Sequence, residues 1–365
     1  MRNRISLLSG LALVAVSVAL TGCDPGKDKP AETTHATTTP GTTSPVTTAT
    51  GGGKYKVITN GISPFWDSLG KGIDDVNPTL NSKADWQGPP KSEHTGQISL
   101  FKDALTQKVD GIAVSVIEPD AFAPTIDAAV DAGTPVITFD SDCPKSKRAA
   151  YIGTNNFEAG KTCGEEIVKL YPKGGKLIAF VGNMSAQNAR DRYAGIKEAL
   201  KGHKIDFLCE PFEDNKDNAK ARKNAEDAIT RYQSQGLNGL VGLYSYNGPA
   251  IVGAVEAAKL HDKIKIACFD GDPKTLENLE KGLVDVTVVQ KPFQFGRLSV
   301  MLLDYLRKDN KDINKALADM KPELDKLNMK VDMDKHIIDT GVTVITPKTA
   351  VEFNKKLKAM GLSST

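Results

Sequence analysis

Two Phe-Asp pairs, Phe139-Asp140 and Phe269-Asp270, each place a carboxylate at the end of an apolar run in this 365-residue sequence. A further acid follows two positions on in both copies, Asp142 and Asp272. Taken alone, an Asp after a strand is often only a turn residue. Here it is accompanied by other planar polar groups and aromatics at strand ends. Ser63, Phe65 and Trp66 follow the first apolar run, and Asn188 with Arg190 and Arg192 follow Gly182. Tyr246 and Asn247 lie in a Tyr-Ser-Tyr-Asn-Gly-Pro turn, and Gln290 closes the run before Pro292. Carboxylates accept from hydroxyls, while Arg donates and Asn and Gln do both. An aromatic ring can lie flat on the CH face of a pyranose. Such a set suits capture of a polyhydroxylated ligand without turnover, with no cofactor and no metal. Paired carboxylates also serve glycoside hydrolysis, so turnover of a glycoside is the competing chemistry. No G-x-x-x-x-G-K-[ST], G-x-S-x-G, H-E-x-x-H or helix-opening G-x-G-x-x-G is present to favour another enzyme class.

These residues need a scaffold that brings distant strand ends together. Short β-rich runs alternate with helical periodicity from Lys54 onward. The strands expected are 55–59, 84–87, 111–116, 135–140 and 150–153 in the first half. In the second they are 176–182, 205–210, 239–244, 264–270 and 284–290. Between them, Phe122, Ile126, Ala129 and Val130 recur at helical spacing, as do Ala225, Ala228, Ile229 and Tyr232. Alternation of this kind predicts βαβ units and parallel sheets. The halves also repeat: Val109–Val114 matches Leu237–Gly242, and Val136–Asp142 matches Ile266–Asp272. The expected fold is α/β, with two similar doubly wound parallel-sheet domains. Ligands in open parallel sheets sit beyond the carboxyl ends of the strands, so Asp140 and Asp270 are expected to face one cleft.

Composition narrows the alternatives. With 47 basic and 45 acidic side chains the net charge is +2, which gives no electrostatic footprint for nucleic acid. The five histidines are scattered and the five cysteines form no C-x-x-C pair, so no zinc site is read. Arg2 and Arg4 precede an apolar run from Leu7 to Leu20, shorter than the roughly 20 residues of a spanning helix. These are the parts of a secretory signal peptide, ending in Leu20-Thr21-Gly22-Cys23, which resembles a lipobox. That resemblance implies a signal over 1–22, acylation of Cys23 and a tether to a bacterial membrane, facing the periplasm or cell exterior. Ten of the twenty residues from Ala31 to Thr50 are threonine, so residues 23–53 read as a disordered leash.

The order Ser63-Pro-Phe-Trp66, Asp140–Arg148, Tyr151–Asn156, Asn188–Arg192, Tyr246–Ala250, Cys268-Phe-Asp270 and Gln290-Lys-Pro resembles the type 1 periplasmic sugar-binding proteins of ABC transporters. The resemblance implies two lobes joined by a three-stranded hinge: residues 54–154 with about 291–338, and 155–290 with about 339–365. It implies a monosaccharide ligand, ABC permease subunits as partners and a monomer. A sugar-sensing receptor feeding a membrane kinase or chemoreceptor would share the scaffold. The ribose-binding pattern carries contacts onto Phe65, Trp66, Asp140, Arg192, Asn247, Asp270 and Gln290. Ser63, Ser141 and the region of Lys216 depart from it, leaving Asp142, Arg148, Asn188 and Tyr246 as candidates for altered selectivity. Similarity to a glucose-binding member at Tyr246–Ala250 and Ile338–Val342 favours an aldohexose, glucose first. Export permits disulfides; a Cys143–Cys163 bridge is expected, with Cys209 and Cys268 as free buried thiols.

Overall fold

The computed structural model describes residues 51–365. The expected signal peptide, Cys23 and all but the end of the expected leash lie outside the described residues. The first sheet holds β1 (Lys54–Ile58), β2 (Lys83–Gln87), β3 (Gly111–Val114), β4 (Val136–Phe139) and β5 (Tyr151–Gly153). The second holds β6 (Gly175–Val181), β7 (Ile205–Phe207), β8 (Phe212–Glu213), β9 (Gly239–Gly242), β10 (Lys265–Phe269) and β11 (Val286–Val289). Three late strands complete them: β12 (Lys330–Asp332) and β13 (Ile337–Asp339) join the first, and β14 (Thr343–Ile345) the second. The orders are β2-β1-β3-β4-β5-β13-β12 and β7-β6-β9-β10-β11-β14, with β8 beside β6. All pairings are parallel except β12 with β13 and β11 with β14. The two sheets share one winding, and each has a switch point beside its first strand, β1 or β6.

The helices are α1 (Pro64–Leu80), α2 (His94–Thr106), α3 (Pro119–Asp131), α4 (Asn156–Leu170), α5 (Gln187–Leu200) and α6 (Asn218–Tyr232). They continue with α7 (Asn247–Ala257), α8 (Pro273–Glu280), α9 (Pro292–Lys308), α10 (Ile313–Lys326) and α11 (Pro347–Ala359). Five of these open with proline at the first turn, where its missing N–H costs nothing. Asn155, Asp217 and Asp312 cap three others through their side chains, and Asp272 caps the proline-opened α8 as well. None of the helices among the described residues is long and apolar enough to cross a membrane.

Strands buried on both faces explain the continuous apolar runs. Val57, Ala113 and Ile137 face one core of the first sheet, while Ile58, Ile112 and Val114 face the other. In the second sheet Phe180, Leu240 and Ile266 face one way, and Ala179, Val241 and Ala267 the other. Each sheet also carries a helix pair in close contact. A Cβ on Gly160 of α4 would lie 2.1 Å from Arg192 O, and one on Gly195 of α5 would lie 2.0 Å from Phe157 O. The same approach recurs between α1 and α9. Backbone contact of this kind fixes the height of α5, which carries Arg192.

The chain passes between the sheets three times, after Gly153, after Val289 and after Asp339. The first passage overturns the expected Cys143–Cys163 bridge. Both thiols are free and buried, but Cys143 packs in a core of the first sheet and Cys163 in a core of the second. Burial pushes their thiols up, to about 11 and about 12. Cys268 is likewise free and buried; Cys209 is free but only half-buried.

Candidate functional site

Asp140 and Asp270 follow the last residues of β4 and β10, and both have left-handed backbone, φ 57° and 66°. Residues with a Cβ seldom take this conformation, and such strain gathers at ligand sites. The turn swings each carboxyl off its sheet edge into a cavity of about 230 Å³ between the lobes. That is smaller than the roughly 300–1,000 Å³ of drug-sized sites, so it fits a small ligand.

The first lobe supplies the apolar wall. Pro64 starts α1, placing Phe65 and Trp66 in its first turn, with Ser63 just before them. Trp66 meets Phe65 edge-on at 4.7 Å between ring centres and Phe139 at 5.8 Å. Both rings therefore serve the core of the first sheet while lining the cavity. Asp140 Oδ2 accepts from Ser115 Oγ at 2.7 Å, Asn60 Nδ2 at 3.3 Å and, across the cleft, Asn188 Nδ2 at 3.4 Å. None of the three donates to Oδ1. Burial raises the Asp140 pKa, opposed first by the Arg192 charge.

The second lobe supplies the charge. Arg192 on α5 is fully buried, donating from Nε to Asn156 Oδ1 at 2.9 Å and from Nη1 to Leu243 O at 2.7 Å. Its guanidinium lies 4.6 Å from the centre of the Phe269 ring and 3.7 Å from Asp270 Oδ2. Gln290, at the end of β11, donates to Asp270 Oδ1 at 3.0 Å. Burial brings Asp270 up to about 6 despite Arg192. Arg192 Nη2 and Gln290 Oε1 are buried with no protein partner. An unmet donor and an unmet acceptor beside one carboxylate are costly unless a ligand completes them.

Asp140, Asp270, Asn188, Tyr246, Ser63, Phe65 and Trp66 thus line one cavity. Arg192 and Gln290 stand directly behind Asp270. Asn247 is buried one layer back, accepting from Tyr244 N and donating to Asp214 Oδ2. Asp142 and Arg148 are not brought to the cavity. They form a bidentate pair with each other at 2.5 and 2.7 Å, closing the loop between β4 and β5. Arg190 is exposed and donates to Met184 O and Ser185 O.

Several cavity groups carried no mark of their own in the sequence. Asn60 belongs to the first strand's loop, and Tyr244 to the turn already noted; its hydroxyl donates to Asn188 Oδ1 at 3.0 Å. Behind them Asp214, which lines the outer groove and is raised to about 6 by burial, accepts from Tyr246 and Asn247. Lys216 was visible only as a departure from a pattern. On the opposite side of α1's first turn, the tail of the second lobe crosses over. Ser364 Oγ donates to Pro64 O at 2.7 Å, Ser68 Oγ to Ser364 O at 2.6 Å, and Thr365 N to Gly271 O at 3.1 Å. Among the described residues no group of His, Cys, Asp and Glu is placed to hold a metal.

This arrangement offers acceptors and donors on both walls around an aromatic edge, and no activated nucleophile. Known proteins share the fold that carries it. A xylose/arabinose-binding protein of Sulfolobus acidocaldarius is 25% identical over 260 residues, covering 66% of this chain and 62% of that relative. A ribose import binding protein of Salmonella typhimurium is 25% identical over 270 residues, covering 73% and 88%. A solved ABC transporter solute-binding protein from Burkholderia graminis, in complex with D-arabinose, superposes with a TM-score of 0.72 at 29% identity. That superposition covers 82% of this chain and 97% of the other. These relatives are named for binding, not catalysis. The family model described as periplasmic binding protein domain matches residues 56–311, spanning both sheets, and the chain belongs to that family.

Proposed function

We propose that this protein captures a monosaccharide between its lobes outside the cytoplasm and delivers it to an ABC sugar permease. The observation that carries this reading is the pair of left-handed carboxylates from opposite lobes, Asp140 and Asp270, set beside the unmet Arg192 Nη2 and Gln290 Oε1. A ligand with adjacent hydroxyls satisfies all four groups, whereas an anion meets carboxylates on both walls. A ligand touching both lobes stabilises their closed arrangement by its differential affinity. The relatives' pentoses support a sugar of this size, and the motifs at Tyr246–Ala250 and Ile338–Val342 make an aldohexose, glucose first, the favoured ligand.

The anchor belongs to the same proposal. Diacylated Cys23 would hold the protein at the membrane, since two acyl chains anchor stably where one is marginal. Replacing Cys23 with Ser is expected to release the protein from the membrane fraction and abolish labelling by a palmitate analogue. For the ligand, a thermal-shift screen against pentoses, hexoses, cyclitols and nucleosides, followed by calorimetry, is expected to single out a monosaccharide. A screen in which only nucleosides stabilise the protein would overturn the sugar reading.

A further inference from the structure

Lys216 lies between β8 and α6 in the second lobe, and its ammonium reaches the first. Nζ donates to Asn60 O at 2.8 Å and to Asn60 Oδ1 at 2.5 Å. Asn60 in turn donates to Asp140 Oδ2, so the lysine orients the first-lobe carboxylate through one amide. The backbone that aims it is held in an uncommon shape. Asn215 and Lys216 are both left-handed, φ 56° and 60°, a conformation seldom taken by two such residues in succession. Asn215 N donates to Gly182 O at 2.7 Å and Lys216 N to Asp214 Oδ1 at 2.8 Å, which pin the loop.

The side chain lines the ligand cavity on one face and, on the other, an outer groove that runs between Ser92 and Asp217. It is a partition between the two. An ammonium has three donors and no acceptor, and Asn60 takes two. The remaining N–H is available to the cavity, where Nζ stands 5.7 Å from the centre of the Tyr244 ring.

We propose that Lys216 is a specificity-determining residue, closing the cavity by clasping Asn60 across the lobes and giving its third N–H to a ligand oxygen. The inference rests on the sugar reading above. A point charge there favours a ligand with an oxygen substituent on that side and gains nothing from an apolar edge.

The clasp makes affinity respond to pH on the alkaline side. Burial lowers the ammonium to about 8, with Asp140 and Asp214 opposing that shift. Asp270, Asp272, Tyr244 and Tyr246 complete the cavity side, with Arg192 beside Asp270, and burial holds both tyrosines above their ordinary value. Lys91, Glu93, Asp217 and Lys220 face the groove side, where His94 lies 3.2 Å from Glu118.

Calorimetry on the full chain with D-ribose, D-xylose, L-arabinose, D-glucose and D-galactose, at pH 7 and pH 9, tests this. For the tightest of the five, wild-type affinity is expected to fall about tenfold between those values, following loss of the charged form. Lys216→Met is expected to bind about tenfold or more weakly at pH 7, with no further fall at pH 9. Lys216→Arg, which stays charged, is expected to bind better than Lys216→Met and to be equally flat with pH. Thermal melts establish that each variant is folded, and the arginine variant carries the test if the methionine variant is not. Equal affinity of wild type and Lys216→Met at pH 7, or a wild-type slope retained by either variant, would overturn the clasp alone. If wild type binds none of the five sugars, the sugar reading falls and the inference falls with it.

Discussion

Asp140 and Asp270 end matching strands of matching sheets, with the same preceding phenylalanine and the same left-handed backbone, yet they keep different company. Asp140 is held by neutral donors, Ser115, Asn60 and Asn188. Asp270 is held by Gln290 and a buried arginine. The walls beside them differ in the same sense: the first lobe contributes Phe65 and Trp66, and the second Arg192 and Lys216. The repeat therefore copies the backbone that presents a carboxylate, while the partners of that carboxylate have diverged. Two aspartates that look interchangeable in sequence are expected to respond differently when altered.

Asp270→Ala should have the largest effect, because it strips the nearest carboxylate from the buried Arg192 guanidinium and the acceptor from Gln290 and leaves a void between them. Breaking a buried pair by removing one partner typically costs about 3–5 kcal/mol, so chemical denaturation is expected to show a loss of that order together with loss of sugar affinity. Asp140→Ala removes an acceptor whose hydrogen-bond donors are all neutral, with Arg192 and Lys216 acting on it only through their charge. Its stability cost should be the smaller one, about 1–3 kcal/mol for buried donors left unmet, while affinity falls roughly thirtyfold or more, equivalent to about 2 kcal/mol. Equal destabilisation by both substitutions would erase the contrast between the lobes; near-wild-type affinity in both would remove the cavity as the binding site.

Acid should separate stability from binding. Asp270 is raised from 3.8 to about 6, and Asp140 is raised as well. A raised carboxyl adds stability that is fully present below its unfolded value and lost as pH rises through its folded value. For these groups, the sugar-free protein is expected to gain stability between pH 7 and pH 4. Affinity should move the other way, falling roughly tenfold from pH 7 to pH 5 as the acceptors are protonated. Melting curves and calorimetry over that range check both signs. The smallest effects are expected away from the cavity: Arg190→Ala should change affinity less than about threefold. Asp142→Ala should lower the melting temperature by unpairing Arg148 and leave affinity nearly unchanged.

How much of this was legible depended on the range of the interaction. The ten principal strands stood out because strands buried on both faces read as apolar runs with turn residues at their ends. β8, β12, β13 and β14 are two or three residues long and, unlike the equally short but wholly buried β5, only partly buried, so no apolar run marks them. The repeated Phe-Asp pair pointed to the cavity because a parallel sheet puts all its strand ends on one side. Lys216 could not be read as a clasp, since its partner Asn60 is 156 residues away and in the other lobe. Asp142 and Arg148 were placed among the selectivity candidates, but they are close enough in sequence to satisfy each other within one loop. The disulfide expectation failed for the opposite reason: nearness along the chain said nothing across a passage between lobes.

That interleaving has a kinetic consequence. β5 stands beside β4 early in synthesis, but its other edge is covered only when Gly153 finds Asp339 on β13. That partner emerges roughly 190 residues later, which at about 5–20 residues per second leaves a bare apolar edge for some 10–40 s. An uncovered strand edge is a template for pairing with another chain. The nascent first sheet is thus open to mispairing with its neighbours throughout the making of the second, and slowing elongation downstream of Gly153 should increase aggregation of newly made protein more than slowing it upstream.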